Sequence, residues 1–426
     1  MSERMVIVDG VRTPFARMGT DLAGMGPEEL GRVAVRALLT KTGIDPGTID
    51  EVIFGCVGQP ADAANVGRVI ALRAGVPEHV PAITVHRNCA SGMEAITQAS
   101  DRIAAGRGEV YVVGGTESMS RIPLLYNESA TKKYGRLARA KTLGQRIGTL
   151  LSFRPSDFAP KIALALGLTD PVSGLNMGET AELIGREAGV TREMQDAFAA
   201  ESHRRARAAK ERIAQELTPV YDERSGTAID ADNGPREDST PEKLAKLRPV
   251  FEKGTGTVTA GNASQITDGA VALLVMSESR AAREGLAPLG VLTGYAYAAN
   301  DPARMGLGPV HAIAKAEKLV GLGLGDADLV EINEAFAAQV LACLAQLKSV
   351  AYAKEKLGRD RAVGELDPAK LNVNGGAIAL GHPVGATGAR LVLTSLLELK
   401  RRGQKRALAS LCIGGGQGAA LWLEVA

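Results

Sequence analysis

Residues 83–96 read Ile83-Thr84-Val85-His86-Arg87-Asn88-Cys89-Ala90-Ser91-Gly92-Met93-Glu94-Ala95-Ile96. The β-branched run Ile83–Val85 predicts a strand, and the small and apolar residues from Met93 to Ala105 recur at helical spacing. Cys89 therefore sits where a strand hands over to the first turn of a helix. Unpaired N–H groups and the helix dipole at such a place favour a thiolate, so the expectation is a nucleophile with a lowered pKa. The bland alternative is a small buried hydrophobe.

Working outward, the same alternation recurs. Strands are predicted at Met5–Asp9, Glu51–Gly55 and Glu109–Gly115, with helices at Pro27–Lys41 and Asn65–Ala74. From Pro288 the pattern resumes, with strands at Gly290–Tyr297, Leu329–Asn333, Arg406–Cys412 and Ala419–Val425. Helices are expected at Pro309–Leu319, Glu334–Leu347 and Ala389–Arg402, the last after a glycine-rich turn over Gly375–Gly388. Strands alternating with helices mean a parallel or mixed sheet covered by helices. The two blocks form a degenerate repeat, Cys89 in one answering His382 in the other. Three regions are expected: a first half at 1–120 continued at 267–286, a loop domain at 121–266 over the shared face, and a second half at 287–426.

Composition limits the function. The chain has 426 residues, 45% hydrophobic and 23% charged, which is ordinary for globular domains. A net charge of +2 gives no global sign of a nucleic-acid partner. Four cysteines in a chain this long do not make a disulfide framework, which points to a reducing compartment, the cytoplasm. A strand beginning at Met5 leaves no room for a signal peptide. No histidine–cysteine spacing fits a metal site, and no glycine run opens a dinucleotide fingerprint. Cys56 and Cys343 are expected in the core; His79, His203 and His311 are expected at the surface. Between Ser129 and Ser156 there is no acidic residue, but Lys132, Lys133, Arg136, Arg139, Lys141, Arg146 and Arg154 occur among glycines and leucines. That run suits a solvated surface, a docking face for an acidic partner or a membrane surface, or steering of an anionic substrate.

Four segments carry chemistry: Cys89 in NCASG, Asn333 in NEAFA, His382 in GHPVGATG, and Cys412 in CIGGGQG. Each is one reactive residue with small neighbours, which let a substrate approach the backbone and its N–H groups. A thiol with a histidine is a nucleophile–base pair. A second cysteine can move a proton.

These segments, with Gly114–Ser120, Lys246–Pro249 and Thr259–Ser264, occur in one order along the chain and resemble the thiolase family. The resemblance implies two similar βαβαβαββ halves in a five-layered α/β/α/β/α arrangement with an inserted loop domain. It implies an acyltransferase that cleaves 3-ketoacyl-CoA with CoA through an acyl-enzyme, without a permanently bound cofactor. An acetoacetyl-CoA-forming acetyltransferase and a non-catalytic acyl-CoA-binding homologue are the alternatives. Carried over, Cys89 is the nucleophile, His382 activates it, Cys412 is the acid/base, and Asn333 holds a water in one oxyanion hole. The N–H groups of Cys89 and Gly414 form the other. Arg236, Leu247, Ala260 and Ser264 match the CoA groove, and Met177 and Phe336 lie near the reacting thioester. Asn176 before Met177, the long segment 347–370 and the insert are similar to the β-subunit branch of fatty-acid oxidation. The resemblance further implies a homodimer or homotetramer, with a hydratase/dehydrogenase partner subunit or a membrane surface as candidates for the Lys132–Arg154 run.

Overall fold

The computed structural model describes residues 3–222 and 226–425. Its main sheet takes β1 (Met5–Arg12), β2 (Glu51–Gly55), β3 (Ala82–Val85), β4 (Val110–Ser118) and β5 (Thr267–Ser277) from the first half. The second half gives β6 (Gly290–Ala299), β7 (Leu329–Ile332), β8 (Arg406–Ile413) and β9 (Gln417–Glu424). The hydrogen-bonded order is β7-β8-β9-β6-β1-β5-β4-β2-β3, with the short strand Ala16–Arg17 added on β5. In the first half β1, β5 and β4 pair antiparallel, and β4, β2 and β3 parallel. The second half repeats this: β6, β9 and β8 antiparallel, then β8 and β7 parallel. Its counterpart of β3 shrinks to a single parallel bridge, Leu371 to Val330. The halves join where β1 pairs with β6 at Val6–Val291 and Ile7–Gly290.

Both faces of the strands are covered, which explains their near-continuous apolar runs. The middle layer is α1 (Ser91–Ala104) and α2 (Val384–Arg402). Met93, Ile96 and Ala99 of one, and Ala389, Leu393 and Leu396 of the other, share a core with Ile53, Val113, Val275, Leu411 and Leu421 of the strands. On one outer face the helices Pro27–Thr42 and Val66–Ala74 cover Val52, Phe54, Val112 and Leu274. On the other, Gly308–Val320 and Ala337–Leu347 cover Val330, Ile332, Leu408 and Trp422. The layers run helix, sheet, helix, sheet, helix.

Two local expectations change. The glycine-rich turn ends earlier than expected: α2 begins at Val384, so Gly385 and Gly388 are helical. They permit close helix crossing. A Cβ on Gly388 would lie 2.7 Å from the Met93 nitrogen, and one on Gly92 2.7 Å from the Ala389 nitrogen. The helix after Asn333 starts at Ala337, because Phe336 is extended and bridges to Ala263. Arg12 ends β1, fully buried between Glu216 and Asp232.

Residues Ile122–Thr169 form a compact unit of their own. Its helices Glu128–Arg139 and Leu143–Leu151 are capped by Asn127 and by a Thr142/Gln145 capping box. The rings of Tyr126, Tyr134, Phe153 and Phe158 pack in series, and Lys133 pairs with Asp157 at 2.6 Å. Among the described residues, no helix is long and apolar enough to cross a membrane.

Candidate active site

Cys89 follows a tight turn between β3 and α1. Asn88 takes φ of 43°, and it and Asn372 are the non-glycine described residues in the left-handed region. The turn is closed by Ser91, whose N–H and hydroxyl both donate to the Asn88 carbonyl at 3.0 and 2.7 Å. The Ser91 hydroxyl also accepts the Arg87 N–H at 2.9 Å. Arg87 is pinned by Glu94 at 2.6 Å and lies 4.2 Å from the centre of the Tyr297 ring. The N–H groups of Gly414 and of Cys89 itself act on the Cys89 sulfur. Burial nevertheless outweighs them and pushes the thiol up to about 11. This corrects the expectation of a lowered pKa: the donors are in place, but the hydration lost is worth more, so the resting group is a thiol.

His382 sits two residues before α2, facing the start of the second half's middle helix as Cys89 faces that of the first. The Gly92–Gly388 contact brings those two helix beginnings together. Nδ1 of His382 lies 2.7 Å from Oγ1 of Thr387, and that hydroxyl lies 3.0 Å from the Pro383 carbonyl. The carbonyl can only accept, so the hydroxyl hydrogen goes there. Thr387 then accepts from Nδ1–H, which leaves the lone pair on Nε2. Burial, and then the charge of Arg390, hold the imidazole down at about 4, so it is neutral at ordinary pH. The amide of Asn333 approaches Nε2 at 3.4 Å, while its Oδ1 is buried without a protein partner.

Buried side chains tie these loops together. Glu117 of the GGTESMS segment accepts the N–H groups of Val57, Gly58 and Gly385 at 3.1, 2.8 and 2.9 Å. It links the loop after β2 to the loop of His382, and burial raises it to about 7. Asn372 brackets Ile332 through the N–H and carbonyl, both at 2.9 Å, and donates to Glu334 at 2.9 Å. Glu334 also accepts from Ser202 and from the Ile378 N–H.

Cys412, at the end of β8, is buried in an apolar cluster with Ala335, Phe336 and Met305, against which Met177 packs. Burial, followed by the neighbouring Cys89 and Cys343, holds its thiol well above the ordinary value. Next to it Gly414 lies under Met177, whose sulfur would be 3.5 Å from a Cβ there, and the Gly414 carbonyl accepts from Asn88 Nδ2 at 2.8 Å.

The remaining expected site residues divide. Ser264 reaches the NEAFA segment by its N–H on the Ala335 carbonyl at 2.9 Å. Leu247 packs over Gly261, beside the exposed Ala260. Arg236 is exposed and paired with Asp238 at 3.1 Å, outside the hydrogen-bond network around His382. Two histidines expected at the surface are not there. His203 is buried and accepts the Arg236 N–H at 3.1 Å, and His311 is half-buried against the Tyr352 hydroxyl at 2.9 Å. Cys56 and Cys343 are buried. The sequence reading gave no role to Asn88, Thr387, Glu117 or Asn372. The hydroxyl five residues beyond His382 was the one visible signal.

Family models for the thiolase N-terminal and C-terminal domains match residues 5–279 and 286–425. The chain belongs to the thiolase family. The acyltransferases it is similar to include the 3-ketoacyl-CoA thiolase of Pectobacterium carotovorum subsp. carotovorum (strain PC1), 42% identical over 99% of this chain and 97% of that one. The acetyl-CoA acetyltransferase of Bacillus anthracis superposes with a TM-score of 0.86 at 39% identity, covering 100% of this chain and 99% of that one. Human mitochondrial 3-ketoacyl-CoA thiolase in complex with CoA superposes with a TM-score of 0.85 at 36% identity, covering 100% and 98%. The five layers described above are this thiolase's version of the fold those structures share. Among its described residues, no group of three or more His, Cys, Asp or Glu could hold a metal ion.

Proposed function

We propose that this thiolase cleaves 3-ketoacyl-CoA with CoA to acetyl-CoA and a shortened acyl-CoA, through an acyl group on Cys89. What supports the reading most is the tautomer of His382. With Nδ1–H committed to Thr387, Nε2 carries the lone pair that takes the Cys89 proton as sulfur attacks the 3-keto carbon. The C2–C3 bond then breaks. The acetyl-CoA enolate leaves and takes its proton from Cys412, a thiol in its resting state. The Cys412 thiolate next removes the proton of incoming CoA, whose sulfur attacks the acyl carbon and expels the Cys89 thiolate, which takes its proton back from His382. His382 and the water held by Asn333 stabilise the thioester enolate oxygen. The N–H groups of Cys89 and Gly414 stabilise the tetrahedral oxyanion of acyl transfer. The reverse, Claisen direction uses the same groups.

Arg236, Leu247, Ala260 and Ser264 line the CoA groove in this reading, with Met177 and Phe336 at the thioester. The likeness to an acetyl-CoA acetyltransferase favours a second reading, restricted to short chains. Thiolysis rate against acyl length separates them: activity that holds or rises beyond acetoacetyl-CoA supports the first, and activity confined to acetoacetyl-CoA supports the second. We place the enzyme in the cytoplasm, as a homodimer or homotetramer.

The 122–169 unit is read as a docking face for an anionic bilayer. Leu143, Ile147, Leu150 and Leu151 are exposed on one face of their helix, beside exposed Arg136, Arg139, Lys141 and Arg146. Binding to anionic vesicles should fall when those four basic residues become Gln; unchanged binding would refute it. Salt-sensitive capture of a hydratase/dehydrogenase subunit without vesicle binding would assign the face to that partner instead.

A further inference from the structure

We propose that Asn88 is a positioning residue that holds both N–H donors of the acyl-transfer oxyanion site in register. The inference rests on the thiolase reading of Cys89 and Gly414. The first donor, the Cys89 N–H, belongs to the peptide group whose carbonyl is that of Asn88. That carbonyl is anchored by the N–H and hydroxyl of Ser91. The second donor is on Gly414, 326 residues away in the other half, and the Asn88 amide donates to the Gly414 carbonyl at 2.8 Å. Asn88 therefore shares a peptide group with the first donor, and through its amide pins the residue that carries the second on its carbonyl side, one peptide beyond the Gly414 N–H.

The need for such an anchor is visible in the chain around Gly414. It opens a run of three glycines, and Gly415 and Gly416 take φ of 88° and 78°. Such a run has little stiffness of its own. It is held at its far end by the Asn300 N–H on the Gly416 carbonyl at 2.7 Å, and at the near end by Asn88. Asn88 also stands in the left-handed region at φ of 43°, where glycine would be the ordinary choice. The Asn88 side chain spans the two halves beside the nucleophile, and its amide holds the Gly414 carbonyl. The N–H groups of Gly414 and Cys89 both favour the Cys89 thiolate, against burial.

The test compares Asn88→Gly, which keeps the backbone conformation and drops the amide, with Asn88→Asp, which keeps the shape and sets an oxygen against the Gly414 carbonyl. Thiolysis of acetoacetyl-CoA is measured with thermal midpoints to verify the fold. A fully removed oxyanion donor costs about 10²–10³ in kcat, so a misplaced one should cost about tenfold to a hundredfold in Asn88→Gly, with KM for CoA within about twofold. Asn88→Asp should lose more. Iodoacetamide alkylation of Cys89 should need higher pH in both variants, because the thiolate loses the Gly414 donor; a purely structural role would leave this profile in place. Wild-type kcat and alkylation profile in a folded Asn88→Gly would overturn the inference. An inactive wild-type enzyme would instead overturn the thiolase reading beneath it.

Discussion

Replacing Thr387 with Val removes the acceptor of His382 Nδ1–H while nearly keeping the side-chain volume. Nothing else in the described hydrogen-bond network takes that proton. In the variant either Nδ1–H stays buried without a partner, or the proton moves to Nε2, where it faces the Asn333 amide and the base is lost. A buried donor left unsatisfied costs about 1–3 kcal/mol. At about 1.4 kcal/mol per decade this lowers kcat about fivefold to a hundredfold. KM for CoA should stay within about twofold, since Thr387 touches His382 and the Pro383 carbonyl rather than the proposed CoA groove. Thr387→Ser keeps the hydroxyl and should restore most of the rate. Steady-state thiolysis of acetoacetyl-CoA by the three proteins, with thermal midpoints as a control, provides the measurement. A folded Thr387→Val within about twofold of wild type would refute the tautomer argument.

Three other outcomes are expected. With the Cys89 thiol pushed up to about 11, alkylation by iodoacetamide should climb about tenfold per pH unit from neutrality to pH 9; a plateau below pH 8 would mean a preformed thiolate. Glu117→Gln puts an NH₂ against a backbone N–H and should destabilise the fold by about 1–3 kcal/mol in urea unfolding. Because the folded Glu117 pKa lies above its unfolded value, the wild type gains from this group at acid pH and loses that gain as pH rises through about 7. The variant's deficit should therefore shrink between pH 5 and pH 8.5, and a deficit that grows would contradict the assignment. Gly92→Ala, whose Cβ would lie 2.7 Å from the Ala389 backbone nitrogen, should cost about 1–3 kcal/mol or more by overpacking; unchanged unfolding would show that the helices can separate freely.

Much of this was legible in the sequence, for physical reasons. The run Ile83–Val85 followed by small residues could hardly be anything but strand, turn and helix, and the repeat of that pattern around His382 carried the two-half architecture. The start of α2 was missed because glycine is a poor helix former by itself; Gly385 and Gly388 are helical since the Met93 and Thr116 backbones leave no room for a side chain. The helices of the 122–169 unit carried a readable cap at Thr142/Gln145, yet the apolar stripe Leu143, Ile147, Leu150 and Leu151 is exposed, and sequence alone does not say whether such a stripe meets a core. The sign of the Cys89 pKa was beyond reach, because a helix start is visible in sequence and desolvation is not. His203 was expected at the surface, whereas its neighbours in the fold bury it.

The most direct test of the central claim is to trap the acyl-enzyme. The enzyme is incubated with acetyl-CoA, quenched in acid, digested and mapped by mass spectrometry. The account predicts one acyl group on the peptide containing Cys89, lost in Cys89→Ala and removed by added CoA. An adduct on the Cys412 or Cys343 peptide, or one that survives in Cys89→Ala at the wild-type level, would contradict it.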